Sequence, residues 1–438
     1  MTTACPDCLD AESMRAQRGL SRRGFLGGLA AAGAVGAAAP LISTQMAFAA
    51  DPNYAGDTVV VISFRGGFDG LSAIVPAGDP SYAASRPSIR IPTNRLLSYD
   101  GMFGLHPAMA PLQSYWEAGT FGAVHAVGQP DPTRSHFEAM EEMERAAPGS
   151  SLRTGWLDRA LGLRGTGSVF QAAQLGWSLP SSAFNGPAPE LALGRVDDFT
   201  LWAADDNDPV KAEANVARWA AALSTLMNGA PTTMAAPTAS ALGAITTTMS
   251  MKRTGYTPSG GAVYDTESDL AMSLRDIARL IKQNVGLQVA AIDYGDWDMH
   301  QNLGGVDSGW MFDKLTEVSA AFDAFAKDLG PKFADVTLVT MSEFGRRIDE
   351  NGSGGVDHGH GNAMLVMGGG VNGGTVRGNW PGLAENNRDD GGDLRGDNDY
   401  RVVLAEILRK RCGQGSLSTV FPGLPSGDLG LVKTRPTS

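Results

Sequence analysis

The sequence predicts an α/β fold built on a mostly parallel sheet with helices on both faces. Three observations carry this expectation. Short β-branched apolar runs recur along the chain, as in TVVVISF at Thr58–Phe64 and VTLVTM at Val336–Met341. Segments with helical spacing alternate with them, the order that produces parallel strands joined by crossover helices. Loops rich in glycine, aspartate and histidine follow the runs, which is where ligands bind in open α/β sheets.

Each element follows in chain order. TVVVISF reads as a buried strand and leads into RGGFDG, which sets Asp69 just beyond it. FGAVHAVG (Phe121 to Gly128) is a second strand, followed by QPDPTRS and a helix starting near Ser135. Residues 168–195 read as strand and loop, with many turn formers. Residues 208–228 and 266–285 read as helices, the second capped by Thr266 or Ser268. LQVAAIDYG (Leu287 to Gly295) is a third strand, leading into DWDMHQN and a helix from about Met311 to Leu329. VTLVTM leads into SEFGRR, and NAMLVMGGG, entered from DHGHG, is a fifth strand. A helix over Asp399 to Arg411 closes the pattern.

The chain has 438 residues, a net charge of −12, 56 glycines and 19% charged residues, a composition that fits a soluble globular protein with many loops. An acidic chain without Lys/Arg clusters argues against nucleic acid or an anionic membrane as its target. Residues 1–49 read as a twin-arginine signal: Arg22-Arg23, then Phe25-Leu26, a weakly apolar run to Met46, and an Ala47-Phe48-Ala49 cleavage pattern. The expectation is a mature chain from Ala50 with no stable membrane span. The export machinery of that pathway would deliver it to the periplasm, cell wall or exterior. Cleavage removes Cys5 and Cys8 and leaves Cys412, so no internal disulfide forms. Residues 50–438 read as a single domain, with a cap or mobile insert at about 197–286, centred on the Ala/Thr/Gly/Pro/Ser-rich stretch 229–264.

All six histidines, His106, His125, His136, His300, His358 and His360, fall in or beside these loops. Neutral imidazoles and carboxylates gathered from several loops are what a divalent metal requires. Asp296, Asp298 and His300 offer three ligands in five residues, and Asp357, His358 and His360 offer three more in four. Glu343 and Asp69 add carboxylates. Zinc, calcium, magnesium or manganese all suit such donors, and solvated turns are the alternative reading. Ser135 at a helix start is a candidate nucleophile, with an ordinary helix cap as the alternative and Thr133 as the other hydroxyl. Arg65 and Arg346 are candidate anion clamps or structural ion pairs. His106 and His125 read as core or supporting histidines.

Taken together, FRGGFDGL, FGLHPAM, HAVGQPDPTRSHFEAM, TGWLDR, DWDMHQN, TMSEFGRR, ENGSGGVDHGHGNAMLVMGGGV and NDYRVVLAEIL resemble the exported bacterial family known as the domain of unknown function 1501. The likeness extends over about residues 58 to 423. That family is similar to the alkaline phosphatase and sulfatase superfamily. The resemblance implies a three-layer α/β/α sandwich with metals at the strand ends and a hydroxyl nucleophile. It implies metal-ligand roles for Asp69, Asp296 or Asp298 with His300, Glu343, and His358 or His360. Two departures stand out. Glu343-Phe344 replaces an Asp-His pair, and the sequence after Ser135 lacks the C/S-x-P-x-R pattern that formylglycine formation needs. The sequence thus predicts an exported metal-dependent hydrolase of an anionic small-molecule or polymer ester of phosphate or sulfate, using Ser135 or activated water. Its alternative is a non-catalytic binding or envelope-assembly protein on the same fold.

Overall fold

Strand β1 (Thr58–Phe64) sets the layering. Val60, Ile62 and Phe64 point into one hydrophobic core, while Val59 and Val61 point into another. Period-two alternation puts neighbours on opposite faces of a strand, so both faces of this sheet are buried. The computed structural model describes residues 54–163, 169–176, 180–201 and 208–436. The segment 1–49 that is expected to be a signal, with Cys5 and Cys8, lies outside them.

The main sheet contains β1, β2 (Phe121–Gly128), β3 (Ala172–Leu175), β4 (Leu191–Leu193), β5 (Val289–Tyr294), β6 (Val336–Met341), β7 (Asn362–Gly368), β8 (Val376–Arg377) and β9 (Asn398–Asp399). Its order is β8-β2-β7-β6-β1-β5-β3-β4, with β9 also on β2. β1 pairs in parallel with β5 and β6, and β3 in parallel with β4 and β5. β7 is the exception, antiparallel to both β2 and β6. This reversal decides where the site can form. A loop that precedes β7 reaches the same edge as loops that follow β1, β2, β5 and β6.

Two layers of helices cover the sheet. α1 (His136–Arg145), α2 (Trp156–Gly162) and α7 (Tyr400–Cys412) share one core, through Met140, Trp156 and Val403 among others. α5 (Asp269–Lys282) and α6 (Trp310–Leu329) share the other, through Leu274, Ile277, Leu315 and Phe322. The fold is therefore an α/β/α sandwich on a mostly parallel sheet. Ser268, not Thr266, caps α5, its hydroxyl accepting from the Ala271 N–H at 3.1 Å. Among the described residues no helix is long and apolar enough to cross a membrane.

The stretch expected to be mobile is mostly helical. α3 (Pro209–Leu226) and α4 (Thr232–Thr254) form a hairpin over 209–254. Composition hid α4 because its many threonines disfavour helix through their β-branching. Here the hydroxyls of Thr238, Thr246, Thr247 and Thr248 donate to the carbonyls of Met234, Leu242, Gly243 and Ala244 four residues back. Each hydroxyl finds an acceptor inside its own helix.

One buried ion pair braces the strand-end loops. Arg86 is fully buried and clasps Asp69 through Nη1–Oδ2 at 2.5 Å and Nη2–Oδ1 at 2.9 Å. It also donates to the carbonyls of Ile348 and Arg347 at 2.9 and 3.0 Å. Burial raises the Asp69 carboxyl, and the Arg86 guanidinium more than reverses this, holding it below the usual carboxylate range. The stability this pair contributes is present above the unfolded-state pKa of about 4 and is lost as pH falls through the lower folded value. Asp69→Ala leaves Arg86 buried and unpaired, so a loss of about 3–5 kcal/mol is expected in urea denaturation at neutral pH.

Candidate metal centre and its cleft

Four loops and one helix start converge at the C-terminal edge of the parallel strands. The loop after β1 brings Arg65 and Gly66, the loop after β5 brings Asp296, Asp298 and His300, and the loop after β6 brings Glu343 and Arg346. The loop before β7 brings Asp357 and His358. His136 opens α1, one residue past the Ser135 cap.

Close backbone approach explains the glycines. Gly66 has φ +118°, and a Cβ there would lie 2.7 Å from the Asp298 nitrogen. A Cβ on Gly359 would lie 2.6 Å from the Arg346 carbonyl carbon. The DHGHG loop therefore lies flat against 345–347, with Arg346 and His358 forming an antiparallel bridge.

Asp298 stands at the middle of the cluster. Its Oδ1 lies 3.0 Å from His300 Nε2, 3.1 Å from His358 Nε2 and 2.6 Å from Arg346 Nη2. His136 Nε2 lies 3.8 Å from Asp298 Oδ2. His358 Nε2 is 3.1 Å from His136 Nε2 and 3.0 Å from His300 Nε2. His136, Asp298 and His358 present ligand atoms all within 4.8 Å of one another.

The far side of each imidazole fixes its proton. His136 Nδ1 meets Glu343 Oε1 at 2.9 Å, His300 Nδ1 meets Asp357 Oδ1 at 3.0 Å, and His358 Nδ1 meets the Arg134 carbonyl at 3.1 Å. Each partner can only accept, so each Nδ1 carries hydrogen, and each Nε2 is turned toward the shared centre, where it offers a lone pair to an ion once the Nε2 hydrogen bonds to Asp298 are given up. Carboxylates and carbonyls behind histidines orient metal ligands in this way. An ion held tetrahedrally about 2.05 Å from two nitrogens sets them about 3.3 Å apart, close to the spacings seen here. The donor set fits a divalent cation.

The electrostatics agree. Burial raises the Asp298 carboxyl, but hydrogen bonds from His300 and His358 and the Arg346 guanidinium hold it below the ordinary range. The hydrogen bond to Asp298 raises His300, against burial. Glu343 is raised by burial and lowered further by His136 and the Gly66 N–H, which it accepts at 2.7 Å.

The other predicted residues take different places. Asp69 is enclosed by Arg86 and does not join the cluster. His360 turns away, with Nδ1 3.2 Å from Asp389 Oδ2 and Nε2 3.1 Å from the Gln129 carbonyl. Ser135 caps α1, its Oγ 3.5 Å from the Glu138 nitrogen. Arg65 lies between Glu144 at 2.5 Å and Asp293 at 3.0 Å. Arg346 is buried, and its donors meet the carbonyls of Gly66, Gly67, Trp297 and Val356 as well as Asp298, leaving no free edge for an anion. His106 and His125 are core histidines that burial pushes down to about 4.

His136 is the member that sequence reading named among the six histidines without assigning it a role. Its only signal was a histidine at the first helical position after a strand.

A cleft of about 920 Å³ opens beside the cluster. His136, Phe137 and Met140 form one wall, and Asp296, Asp298 and Trp310 lie on the other lining segments. Asp296 is exposed and sits in the left-handed region at φ 67°. No described residue of 197–286 lines this cleft.

An α/β sandwich with a histidine–aspartate centre at one sheet edge is thus the class of protein defined. Its sequence matches, over residues 121–395, the model of the family described as "Protein of unknown function (DUF1501)", and the chain belongs to that family. No curated protein matches it in sequence. Three solved structures show distant likeness. The C-terminal periplasmic domain of EcEptC from Escherichia coli, in complex with Zn, is 9% identical at a TM-score of 0.29, over 74% of this chain and 77% of that one. The integral membrane lipooligosaccharide phosphoethanolamine transferase A from Neisseria meningitidis is 11% identical at 0.29, over 83% of this chain and 60% of that one. The phosphonate monoester hydrolase of Agrobacterium radiobacter is 10% identical at 0.28, over 85% and 78%. Likeness at these scores carries no argument about chemistry.

Arg346→Met removes the donors that five oxygens share. It is expected to destabilise the fold by roughly 3 kcal/mol or more in urea denaturation, because buried acceptors and Asp298 lose their partner.

Proposed function

We propose that the chain is an exported metal-dependent hydrolase of phosphate or sulfate esters. The observation that carries this reading is the convergence of three Nδ1-anchored imidazoles, His136, His300 and His358, with the Asp298 carboxylate at the edge of a large cleft. The ester class rests on the resemblance of the strand-end motifs to the alkaline phosphatase and sulfatase superfamily, and export rests on the twin-arginine segment.

In this reading His136, Asp298 and His358 hold the ion, with His300 completing the set. A divalent cation held there supplies Lewis-acid chemistry, polarising an ester oxygen and making water nucleophilic at neutral pH. Glu343, Asp357 and the Arg134 carbonyl keep the three rings turned toward it. Asp296, on the cleft wall with no ion pair among the described residues, is the carboxylate assigned to accept a proton from the attacking water. Activated water is favoured over Ser135, whose hydroxyl caps α1 and does not line the cleft.

One observation favours a second reading, a binding or envelope-assembly protein without turnover. The Phe344 ring lies 4.9 Å from that of His136 and 4.7 Å from that of His358, and it shields one side of the centre.

Metal analysis tests the first reading. The mature protein is expected to hold near-stoichiometric divalent metal, and His136→Ala and His358→Ala each to lose it. Glu343→Gln is expected to keep the fold and weaken metal affinity roughly 10–100-fold. Absence of metal from the wild-type protein after supplementation sinks the reading. Metal without turnover on a panel of phosphate and sulfate esters transfers support to the binding protein.

A further inference from the structure

The cleft is far larger than an ester group requires, and its apolar side chains are unusually placed. Four aromatic residues are exposed among the described residues: Tyr99, Phe137, Trp219 and Trp310. Two of the four, Phe137 at 60% and Trp310 at 37% exposure, line the cleft that contains the histidine–aspartate centre. Phe137 follows the proposed ligand His136 directly in sequence. Trp310 opens α6 and shares the cleft with Asp296 and Asp298. Met140, one turn along α1 from Phe137, adds a buried apolar surface to the lining. Exposed rings beside a polar centre fit a ligand that covers them, because large apolar side chains left in water forgo their burial free energy.

Resting on the hydrolase reading above, we infer that the substrate is an ester whose organic part carries an aromatic or similarly flat apolar group, received by Phe137 and Trp310 while its anionic end meets the histidine–aspartate centre. The volume agrees, since about 920 Å³ falls at the upper end of clefts that enclose drug-sized ligands. The lining carries both signs of charge, with Glu144 paired to Arg65 and Glu141 near Arg153, so the two exposed rings, not charge, assign the place of the organic part. These two rings therefore set specificity and take no part in bond cleavage.

The test is binding, which needs no turnover. Phenylphosphonate and methylphosphonate present the same anionic group on an aromatic and a minimal organic part. Their affinities for metal-supplemented protein are measured by calorimetry, with metal content determined on the same samples. Phenylphosphonate is expected to bind about tenfold tighter or better, and Phe137→Ala and Trp310→Ala each to bring the ratio toward one at unchanged metal content. Phe137→Leu should restore part of it and guards against local disruption beside His136. Equal affinities in the wild-type protein overturn this inference while leaving the hydrolase reading in place. A ratio that survives in both alanine variants also overturns it, by removing the assigned residues. Failure of both phosphonates to bind the metal-loaded protein overturns the inference and the hydrolase reading together.

Discussion

The site depends on one guanidinium. Arg346 is enclosed at the end of β6 and donates to main-chain oxygens of the loops after β1, after β5 and before β7, and to the Asp298 carboxylate. A planar group with five donors in fixed directions is suited to this task, and lysine is not. The carbonyls satisfied by Arg346 belong to buried irregular backbone, which is costly without hydrogen-bond partners. Arg86 acts alongside it, linking the Asp69 turn to the carbonyls of Arg347 and Ile348. Both arginines lie behind the histidines rather than in front of them. They hold geometry, and the open side of the cluster is left to the cleft.

Much of the fold was legible because the sheet is buried on both faces. β1, β2 and β6 fall on the predicted runs without adjustment, since continuous β-branched apolar stretches have few other uses in a chain of this charge. α4 was not legible, because threonine's preference against helices is a local quantity and the hydroxyl-to-carbonyl bonds that offset it appear only in the helix. The reversal of β7 was equally hidden. Nothing in NAMLVMG states its direction, yet direction decides whether the preceding histidines join the others.

The candidate site was legible in composition and not in detail. Asp298, His300 and His358 were visible as polar residues clustered in glycine loops. Separating them from Asp69 and His360 required knowing which carboxylate meets a guanidinium and which imidazole turns toward Asp389. Glu343 shows the same limit: a sequence gives a carboxylate near histidines, and only geometry reveals that it stands behind His136 and beneath Gly66. His136 was named without a role because a helix-opening histidine next to a capping serine has no distinctive pattern.

The sequence distance across the cluster has a kinetic consequence. His136 and His358 meet across 222 positions, and His300 and Asp298 come from the loop after β5, which lies between them in sequence. No early hairpin or isolated βαβ unit contains the constellation. It assembles only when the antiparallel strand has docked between β2 and β6, which places its appearance late in folding and its affinity for any ligand wholly on the native side of the equilibrium. An occupied centre would then mark a chain whose sheet has closed.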